Sequence, residues 1–369
     1  MLEALMHDDR ALRVQMLAEI DSAIERKVSF PGYWYGDEEI SRFEQKYVMA
    51  RRWQPIGPVN GLVNPGDYLT ATVAEVPIVV IRDKDGTLRG FVNMCRHRGH
   101  PVAKDSGNCT VFMCRYHGWT YRQDGSLIKA PRSEREAAFD PANYGLLPIR
   151  VGLWGDLGFA NLQFDGPAFE EEFATLIRIA EENQIGIAKM SYRKTLVWEQ
   201  ACNWKTFMDN TADCYHCRLV HPTMGTTHKT DPDDYVNESY DTFAFHISHS
   251  RENHANMPAW MACGVWPNWT LQAMQGRVSN IRILEIVNAN RIRVRTDFFA
   301  PPTIGEPEVE EAADWYHKLV YGEDRVVCEG VARNIMGGRF EEGPIFLGSE
   351  KVMQDFQIRY RQHLQDLKI

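Results

Sequence analysis

The chain has 369 residues, of which 44% are hydrophobic and 25% charged, a composition typical of a soluble globular protein long enough for two domains. A formal net charge of -9 disfavours nucleic acid as a partner. No apolar run reaches the roughly 18 residues of a membrane span, and charges throughout residues 1–27 exclude a signal-peptide core. We therefore expect a cytoplasmic protein, in which eight cysteines serve as thiols or metal ligands before disulfides.

Residues 1–27 carry apolar side chains at spacings of three, four or seven, which predicts an amphipathic helix. These side chains are Leu5, Leu12, Met16, Ile20 and Ile24. We assign residues 1–43 to this helix and a linker, packed on the C-terminal domain.

Short β runs separated by turns characterise residues 44–156, which we assign to a small antiparallel domain. Asp85-Gly86 and Asp124-Gly125 favour hairpin turns between such runs. The predicted strands cover residues 68–73, 78–82, 88–93, 110–114 and 119–122.

This domain contains C-R-H-R-G from Cys95 and C-R-Y-H-G-W from Cys114. Each motif follows a β run and supplies one cysteine and one histidine, His97 and His117, so two loops can close on one centre. Two thiolates on one iron and two imidazoles on the other form a Rieske [2Fe–2S] cluster. Zinc is the alternative, but zinc modules generally pair Cys with Cys and His with His.

Residues 157–369 form the second domain, and their pattern predicts an α+β fold in which helices face an antiparallel sheet. A helical pattern after residue 307 pauses at Gly322 and resumes over residues 323–336, before glycines end it. A last helix carries an apolar stripe that includes Met353 and Phe356. The other predicted elements are a helix over residues 169–183 and strands over 195–199, 242–248, 277–287 and 291–299.

Residues 203–222 bring two carboxylates and two imidazoles close together in sequence. In a helix, Asp209 and Asp213 share a face with His216. His221 precedes Pro222, which disfavours helical geometry, so a broken turn is needed to bring this histidine back. Two histidines and one carboxylate on one side of a metal form the facial triad of non-haem Fe(II) enzymes. The third ligand must come from another segment.

Two other interpretations of this segment stay open at this stage. Such residues on a helix are often only a hydrogen-bonded polar patch. Cys214 and Cys217 flank His216 and suggest zinc, although structural zinc sites place C-x2-C in a tight turn.

Together the two motifs resemble the large subunit of Rieske non-haem iron oxygenases, the ring-hydroxylating dioxygenase and oxidative demethylase family. The resemblance includes C-R-H-R-G, Y-H-G-W, N-W-K, D-x2-H-x4-H and W-P-N, in the family's order. It implies a helix-grip fold for the second domain, a [2Fe–2S] cluster on the Cys95, His97, Cys114 and His117 set, and a mononuclear Fe(II) on His216, His221 and a late acidic residue.

We choose Asp324 as that acidic residue, because its helical neighbours are apolar and an unpaired carboxylate there would be costly without a metal. Glu323 and Asp355 are the competitors, but Glu323 points off this face and Asp355 belongs to the last helix. The resemblance gives Asp213 another task, which is to hydrogen-bond His216 and carry electrons from His117 of the partner subunit. A homotrimeric ring without a small subunit is expected. Asp209 receives no role beyond support.

The resemblance implies a terminal oxygenase that uses O2 at Fe(II) to hydroxylate or dealkylate a small molecule. No G-x-G-x-x-G follows a strand, so NAD(P)H is expected to act through a separate flavin-containing reductase, with or without a ferredoxin. A pure Rieske electron carrier and a zinc-stabilised, non-catalytic protein are the rivals from other classes.

Aromatic and apolar residues that flank the ligands or lie on the sheet are the expected pocket lining, and they favour a small aromatic substrate. A quaternary ammonium compound is the alternative, because Trp faces attract cations. A buried arginine would favour an aromatic carboxylate, and Arg277, Arg282, Arg293 and Arg295 lie on the predicted sheet. The lining candidates are Phe207, Met208, Trp260, Trp266, Trp269, Met274 and Phe298.

Overall fold

The computed structural model describes residues 2–368, with side chains described from residue 9 onward apart from residue 319. Within this range the α-helices are α1 (Leu2–Arg26), α2 (Glu38–Tyr47), α3 (Phe169–Glu172), α4 (Ala174–Glu182), α5 (Trp204–Ala212), α6 (Cys217–Val220), α7 (Pro222–Thr227), α8 (Glu306–Trp315), α9 (Tyr321–Met336) and α10 (Lys351–Asp366). None of these helices is long and apolar enough to cross a membrane.

The strands lie mainly in two runs, one between α2 and α3 and one between α7 and α8. They are β1 (Gln54–Pro58), β2 (Asp67–Val73), β3 (Val76–Arg82), β4 (Leu88–Val92), β5 (Ser106–Asn108), β6 (Val111–Met113), β7 (Thr120–Arg122), β8 (Leu127–Lys129), β9 (Pro148–Trp154), β10 (Leu157–Asn161), β11 (Ser191–Gln200), β12 (Val236–Ser239), β13 (Phe243–Ser248), β14 (Trp260–Val265), β15 (Trp269–Met274), β16 (Ser279–Asn288) and β17 (Arg291–Ala300).

The chain folds into two compact units, and the smaller one is Met49–Glu172. Its larger sheet has the antiparallel order β1-β10-β9-β4-β3-β2-β5, and β6-β7-β8 form a second sheet. The predicted boundary after residue 156 falls within the β9–β10 hairpin, whose pairing places Leu157–Asn161 in this unit. Every strand predicted here from sequence is confirmed to within two residues at either end.

The core of this small unit lies where its two sheets face one another. Val79 and Phe91 from the larger sheet and Phe112 and Tyr121 from the smaller one are buried together. Burial of such side chains contributes about 1.5–3 kcal/mol each to stability. Cys95 belongs to the same core, so the fold holds its motif loop firmly.

The second unit comprises Met1–Val48 and Phe173–Ile369. Its antiparallel sheet has the order β11-β17-β16-β15-β14-β13-β12, with helices packed on it, which confirms the predicted α+β class. The predicted N-terminal helix is confirmed as α1, which packs on α10 and buries Met16 and Ile20. The side chain of Leu5 lies outside the described residues.

Two helix predictions in the second half of the chain need correction. The helix expected over residues 169–183 is two short helices, α3 and α4, because the chain turns at Phe173, whose buried ring packs against Trp269. No pause occurs at Gly322, which lies inside α9. The irregularity comes earlier, as a π-helical segment, Tyr316–Val320, between α8 and α9.

The segment with two histidines is bent in the way that Pro222 requires. Asn203 caps α5 by accepting a hydrogen bond from the Lys205 N–H, and the helix ends before Asp213. His216 precedes the single turn α6, and His221 lies between α6 and α7 in a non-helical conformation. The predicted break therefore occurs, and the two imidazole ring centroids lie 5.3 Å apart.

Candidate metal centres

Two loops of the small unit, residues 95–100 and 114–119, share one backbone design, and we call them the Rieske loops. In each loop the cysteine N–H donates to the carbonyl five residues later, at 2.9 Å from Cys95 and 2.8 Å from Cys114. The cysteine carbonyl accepts from Gly99 at 2.9 Å in one loop and from Gly118 at 2.9 Å in the other. Both glycines have positive φ, 76° and 73°, which L residues rarely adopt.

This shared design brings the four predicted ligands of the Rieske loops together. Cys95 and Cys114 are buried, each only 2% exposed. His97 and His117 are exposed, with ring centroids 4.6 Å apart. The buried thiols and exposed imidazoles suit a cluster whose histidine-bound iron faces solvent.

Neighbouring aromatic side chains fix these ligands in place. The His97 ring stacks on Trp119 with centroids 5.0 Å apart. The Tyr121 hydroxyl accepts from the Arg96 N–H at 3.0 Å and lies 3.2 Å from the Cys95 sulfur, where it can donate. Partial loss of solvent around the ring and the charges of His117 and Arg98 lower the pKa of His97, which favours the neutral imidazole that a metal needs.

In the larger unit, His216, His221 and Asp324 converge, and we call these three residues the iron triad. Asp324 Oδ1 lies 3.1 Å from His221 Nε2 and 3.5 Å from His216 Nε2. This oxygen is buried and forms no hydrogen bond. Two imidazole nitrogens that converge on a carboxylate oxygen without a hydrogen-bond partner fit a metal ion, so the residues present suit the mononuclear iron.

The far side of each triad histidine is held by another carboxylate. His216 Nδ1 lies 3.1 Å from Asp213 Oδ2, and His221 Nδ1 lies 2.9 Å from Glu323 Oε2. Such contacts orient a metal-binding imidazole and make it a better ligand. The structure thus places Asp213 against His216, and its role in electron transfer stays a prediction. Glu323, expected to point off this face, reaches His221 instead of the centre of the triad.

The protonation of the triad without metal is set by burial and by Asp324. Burial lowers the pKa of His221, but the nearby Asp324 carboxylate outweighs this effect and raises that pKa to about 9. Burial opposes ionisation of Asp324, yet the two histidines keep the pKa of this carboxyl low. A metal ion that binds here must displace protons from the imidazoles, so its affinity rises with pH.

A thiol lies beside the triad. Cys217 Sγ is 3.8 Å from His216 Nε2, and the possible ligand atoms of Cys217, His216 and His221 lie within 4.8 Å of one another. The zinc interpretation therefore has local support that the sequence alone understated. Asp355, the other competitor, pairs with Lys351 at 2.9 Å within α10.

A small cavity opens beside the triad, with a volume of about 30 Å³. Space of this size holds little more than one water molecule, so a substrate must displace side chains to enter. His216, His221 and Asp324 line the cavity, together with Gln272 and Arg282 from the sheet.

The seven residues predicted to line the pocket divide into three groups. Trp260 lines the cavity, and Phe207 lies against Arg282, which also lines it. Trp266 and Trp269 instead pack in the core, where Trp266 contacts Phe356 and Trp269 contacts Phe173, because their side chains face away from the cavity. The remaining three are buried, or nearly so, without lining the cavity, and they are Met208, Met274 and Phe298.

Sequence reasoning missed His246 and Gln272 as cavity residues. They face each other across β14, because His246 pairs with Ala262 and Ala262 pairs with Gln272. The alternation of polar residues along β13 and β15 was the signal available, but only strand pairing places these side chains on one sheet face.

Asp209 takes part in a polar network behind the triad. The Tyr35 hydroxyl donates to Asp209 at 2.6 Å. Lys205, one helical turn earlier, forms a fully buried ion pair with Glu44 at 2.7 Å. Burial raises the pKa of Asp209 to about 7, despite the Tyr35 hydrogen bond and the charge of Lys205.

Comparisons with known families agree with the two sites. Residues 52–145 match the Rieske [2Fe-2S] domain, and residues 187–283 and 252–366 match the catalytic domain of the ring hydroxylating alpha subunit. A carnitine monooxygenase oxygenase subunit from Acinetobacter pittii is 26% identical over 91% of this chain and 93% of its own.

Two solved structures extend the likeness to the fold. The quaternary ammonium Rieske monooxygenase CntA matches with a TM-score of 0.80 and 25% identity over 91% of this chain and 95% of its own. Naphthalene 1,2-dioxygenase from Rhodococcus sp. has a TM-score of 0.76 at 18% identity, over 96% of this chain and 98% of its own, and shows the fold alone. The chain belongs to the Rieske non-haem iron oxygenases, as the α subunit that uses a [2Fe–2S] cluster, a mononuclear iron and O2.

Proposed function

We propose that the iron triad binds the mononuclear Fe(II) and that the four side chains of the Rieske loops bind the [2Fe–2S] cluster. One observation carries the first assignment: both histidine Nε2 atoms approach the same partnerless oxygen of Asp324, while their Nδ1 atoms contact other carboxylates. Iron held by these three residues would supply the oxygen chemistry of the reaction, and a cluster on the Rieske loops would supply its electrons.

We propose that Asp213 carries electrons to the triad. Its carboxylate contacts His216 Nδ1 at 3.1 Å, while its backbone ends α5. In this proposal, His117 of the partner subunit approaches Asp213, and a head-to-tail contact of this kind closes a homotrimeric ring. Rieske oxygenases take electrons from a separate reductase, and we propose a flavin-containing one, with or without a ferredoxin.

For the substrate, we propose a small quaternary ammonium compound. The aromatic substrate favoured by the sequence is not supported by the relatives, because both the Acinetobacter protein and CntA are named for quaternary ammonium chemistry. The Trp260 ring lines the cavity, so a cation has an aromatic face to bind. The cavity also contains buried polar side chains such as Gln272, which do not suit a hydrocarbon.

In this proposal the chain's own residues bind and orient the substrate and keep water out. Met224 and Val320 supply apolar walls of the cavity. Asp213 and Glu323 hold the two imidazoles in the orientation that ligation requires. A methyl group held beside the triad is then the part of the substrate to be oxidised.

Thermal shift of the anaerobic, Fe(II)-loaded protein tests the substrate class. γ-Butyrobetaine and choline represent the cations, and benzoate and naphthalene represent the aromatic compounds. We expect at least one of the two cations to raise Tm by roughly 5–10 °C at 100 times its Kd, with no such shift in metal-free protein. Stabilisation by aromatic compounds alone would reverse the substrate proposal.

A further inference from the structure

Within the described part of the chain, one cation that lines the cavity beside the triad has no carboxylate partner. Arg282 lies on β16, opposite Thr270 on β15 and Thr296 on β17. Its side chain is 2% exposed and lines the same cavity as His216 and Asp324. Burial of a charged group is costly unless the charge is paired or hydrogen-bonded.

The Arg282 guanidinium is held from two sides. Its Nε donates to Thr270 Oγ1 at 2.9 Å. The rings of Phe207 and Tyr321 lie 4.8 Å and 4.5 Å from its Cζ, close enough for cation–π attraction. Among the described residues, no Asp or Glu forms an ion pair with it. The guanidinium is therefore held in one orientation while its terminal nitrogens stay available to bind a ligand.

The other three arginines predicted for the sheet have different surroundings. Arg293 pairs with Glu199 and with Glu285, and Arg295 pairs with Asp297 at 3.0 Å. Arg277 lies at the surface, outside the strands. Arg282 alone among the four arginines predicted for the sheet is both buried and without a carboxylate partner.

Polar atoms around Arg282 also lack partners. Thr296 Oγ1 and Gln272 Oε1 are buried without a hydrogen bond, as is His246 Nε2. Gln272 and His246 line the cavity. Burial lowers the pKa of His246 to about 4, so this imidazole is neutral and its Nε2 can accept a hydrogen bond while Nδ1 faces Asn237 at 2.7 Å.

We propose that Arg282 binds a carboxylate of the substrate. A guanidinium presents two parallel N–H donors that match a carboxylate, so the contact fixes orientation as well as position. The proposal rests on the proposed function, because it takes the cavity as the substrate site. It narrows the substrate to an ammonium compound that also carries a carboxylate, with its methylated nitrogen directed to the iron triad.

Paired ligands that differ in the carboxylate test this inference. Kd is measured by calorimetry on the anaerobic, Fe(II)-loaded protein for glycine betaine against choline, and for benzoate against benzyl alcohol. We expect the wild-type chain to favour the carboxylate member of at least one pair by about tenfold or more. Arg282→Gln is expected to abolish this preference and to leave the affinity for the carboxylate-free member within about twofold.

Two further variants separate recognition from folding. Arg282→Lys keeps the charge but not the paired donors, so it is expected to recover only part of the preference. Arg293→Gln changes a neighbouring, exposed arginine and is expected to bind like the wild type. Iron content and Tm are measured for each variant, and only variants that retain iron are compared.

The outcomes distinguish the two proposals. Two outcomes overturn the role of Arg282 and leave the oxygenase assignment intact. One is an equal Kd for ligands with and without a carboxylate, and the other is a carboxylate preference that persists in Arg282→Gln. Failure of the wild-type triad to retain iron overturns the proposed function first.

Discussion

The Rieske loops and the iron triad position their proposed metal ligands by different kinds of contact. In the Rieske loops, backbone hydrogen bonds within six residues and a glycine of positive φ position each Cys–His pair. In the triad, side-chain carboxylates hold the histidines, and Glu323 comes from a position 102 residues after His221. The first centre depends on local backbone conformation, whereas the second depends on tertiary packing.

Because of this difference, we expect the two centres to respond differently to amino-acid substitutions. A loop fixed by its own backbone tolerates distant substitutions but not a change of its glycine. A centre assembled from distant side chains is sensitive to each carboxylate that takes part, and the parts can be removed one at a time.

The largest effect is expected for Asp324→Ala. Loss of this ligand removes one of three donors, so the protein is expected to keep about two irons per chain instead of about three, and turnover is expected to fall to background. Metal analysis and the visible spectrum of the [2Fe–2S] cluster measure the two centres separately. Asp355→Asn, which changes the rejected competitor, serves as the control and should retain all iron. If Cys217→Ser loses the iron and Asp324→Ala does not, the thiol is the third ligand.

A second prediction compares the two carboxylates behind the histidines. Asp213→Asn and Glu323→Gln each remove one charge and keep a hydrogen-bond acceptor for the imidazole. We expect Asp213→Asn to retain both metal centres and lose most turnover, because it interrupts the electron route. Glu323→Gln is expected to weaken iron binding by about 10- to 100-fold and to keep normal turnover per bound iron. Single-turnover reduction kinetics and iron titration separate these effects.

Equal behaviour of the two variants would contradict the separate role of Asp213. Loss of the mononuclear iron in Asp213→Asn would instead make this residue part of the metal site.

A third prediction tests the local design of the Rieske loops. Gly99→Ala and Gly118→Ala place a Cβ at positive φ, which costs about 1–2 kcal/mol of stability in each case, and both variants are expected to lose part of their cluster absorbance. Gly86→Ala is the matched control, because Gly86 has a φ of 81° in a hairpin turn with nothing within 4 Å of the added Cβ. This control should be strained to a similar degree and keep its full cluster content. Cluster loss in all three variants would show a general destabilisation.

The smallest effect is expected at Asp209, whose pKa of about 7 lies above its unfolded value. The folded chain therefore binds more protons than the unfolded chain between about pH 4 and 7, so stability falls as pH rises through this range. Asp209→Asn removes this dependence and still accepts from the Tyr35 hydroxyl. We expect the variant to exceed the wild type by on the order of 1–2 kcal/mol at pH 8 and to match it near pH 4. Urea unfolding at several pH values measures this difference, and parallel curves for the two proteins would contradict it.

Much of the fold followed from local signals. Strand alternation and Asp-Gly turns predicted the central strands of the small unit, and Pro222 predicted the break that separates His216 from His221. Short strands such as Ser106–Asn108 were missed, because three residues carry no usable period. The π-helical segment before α9 was missed as well, since it depends on packing against the sheet more than on its own composition.

The sequence by itself indicated the chemistry of the two metal centres, because each Rieske loop carries its proposed ligands within a few residues and the two histidines share one short segment. Only the tertiary structure placed Glu323 against His221 and turned Arg282 into the cavity. The alternation of a strand gives two possible faces, and the choice between them depends on which neighbours bury one face. Cation–π contacts with Phe207 and Tyr321 stabilise that choice for Arg282, and they join residues that are far apart in the chain.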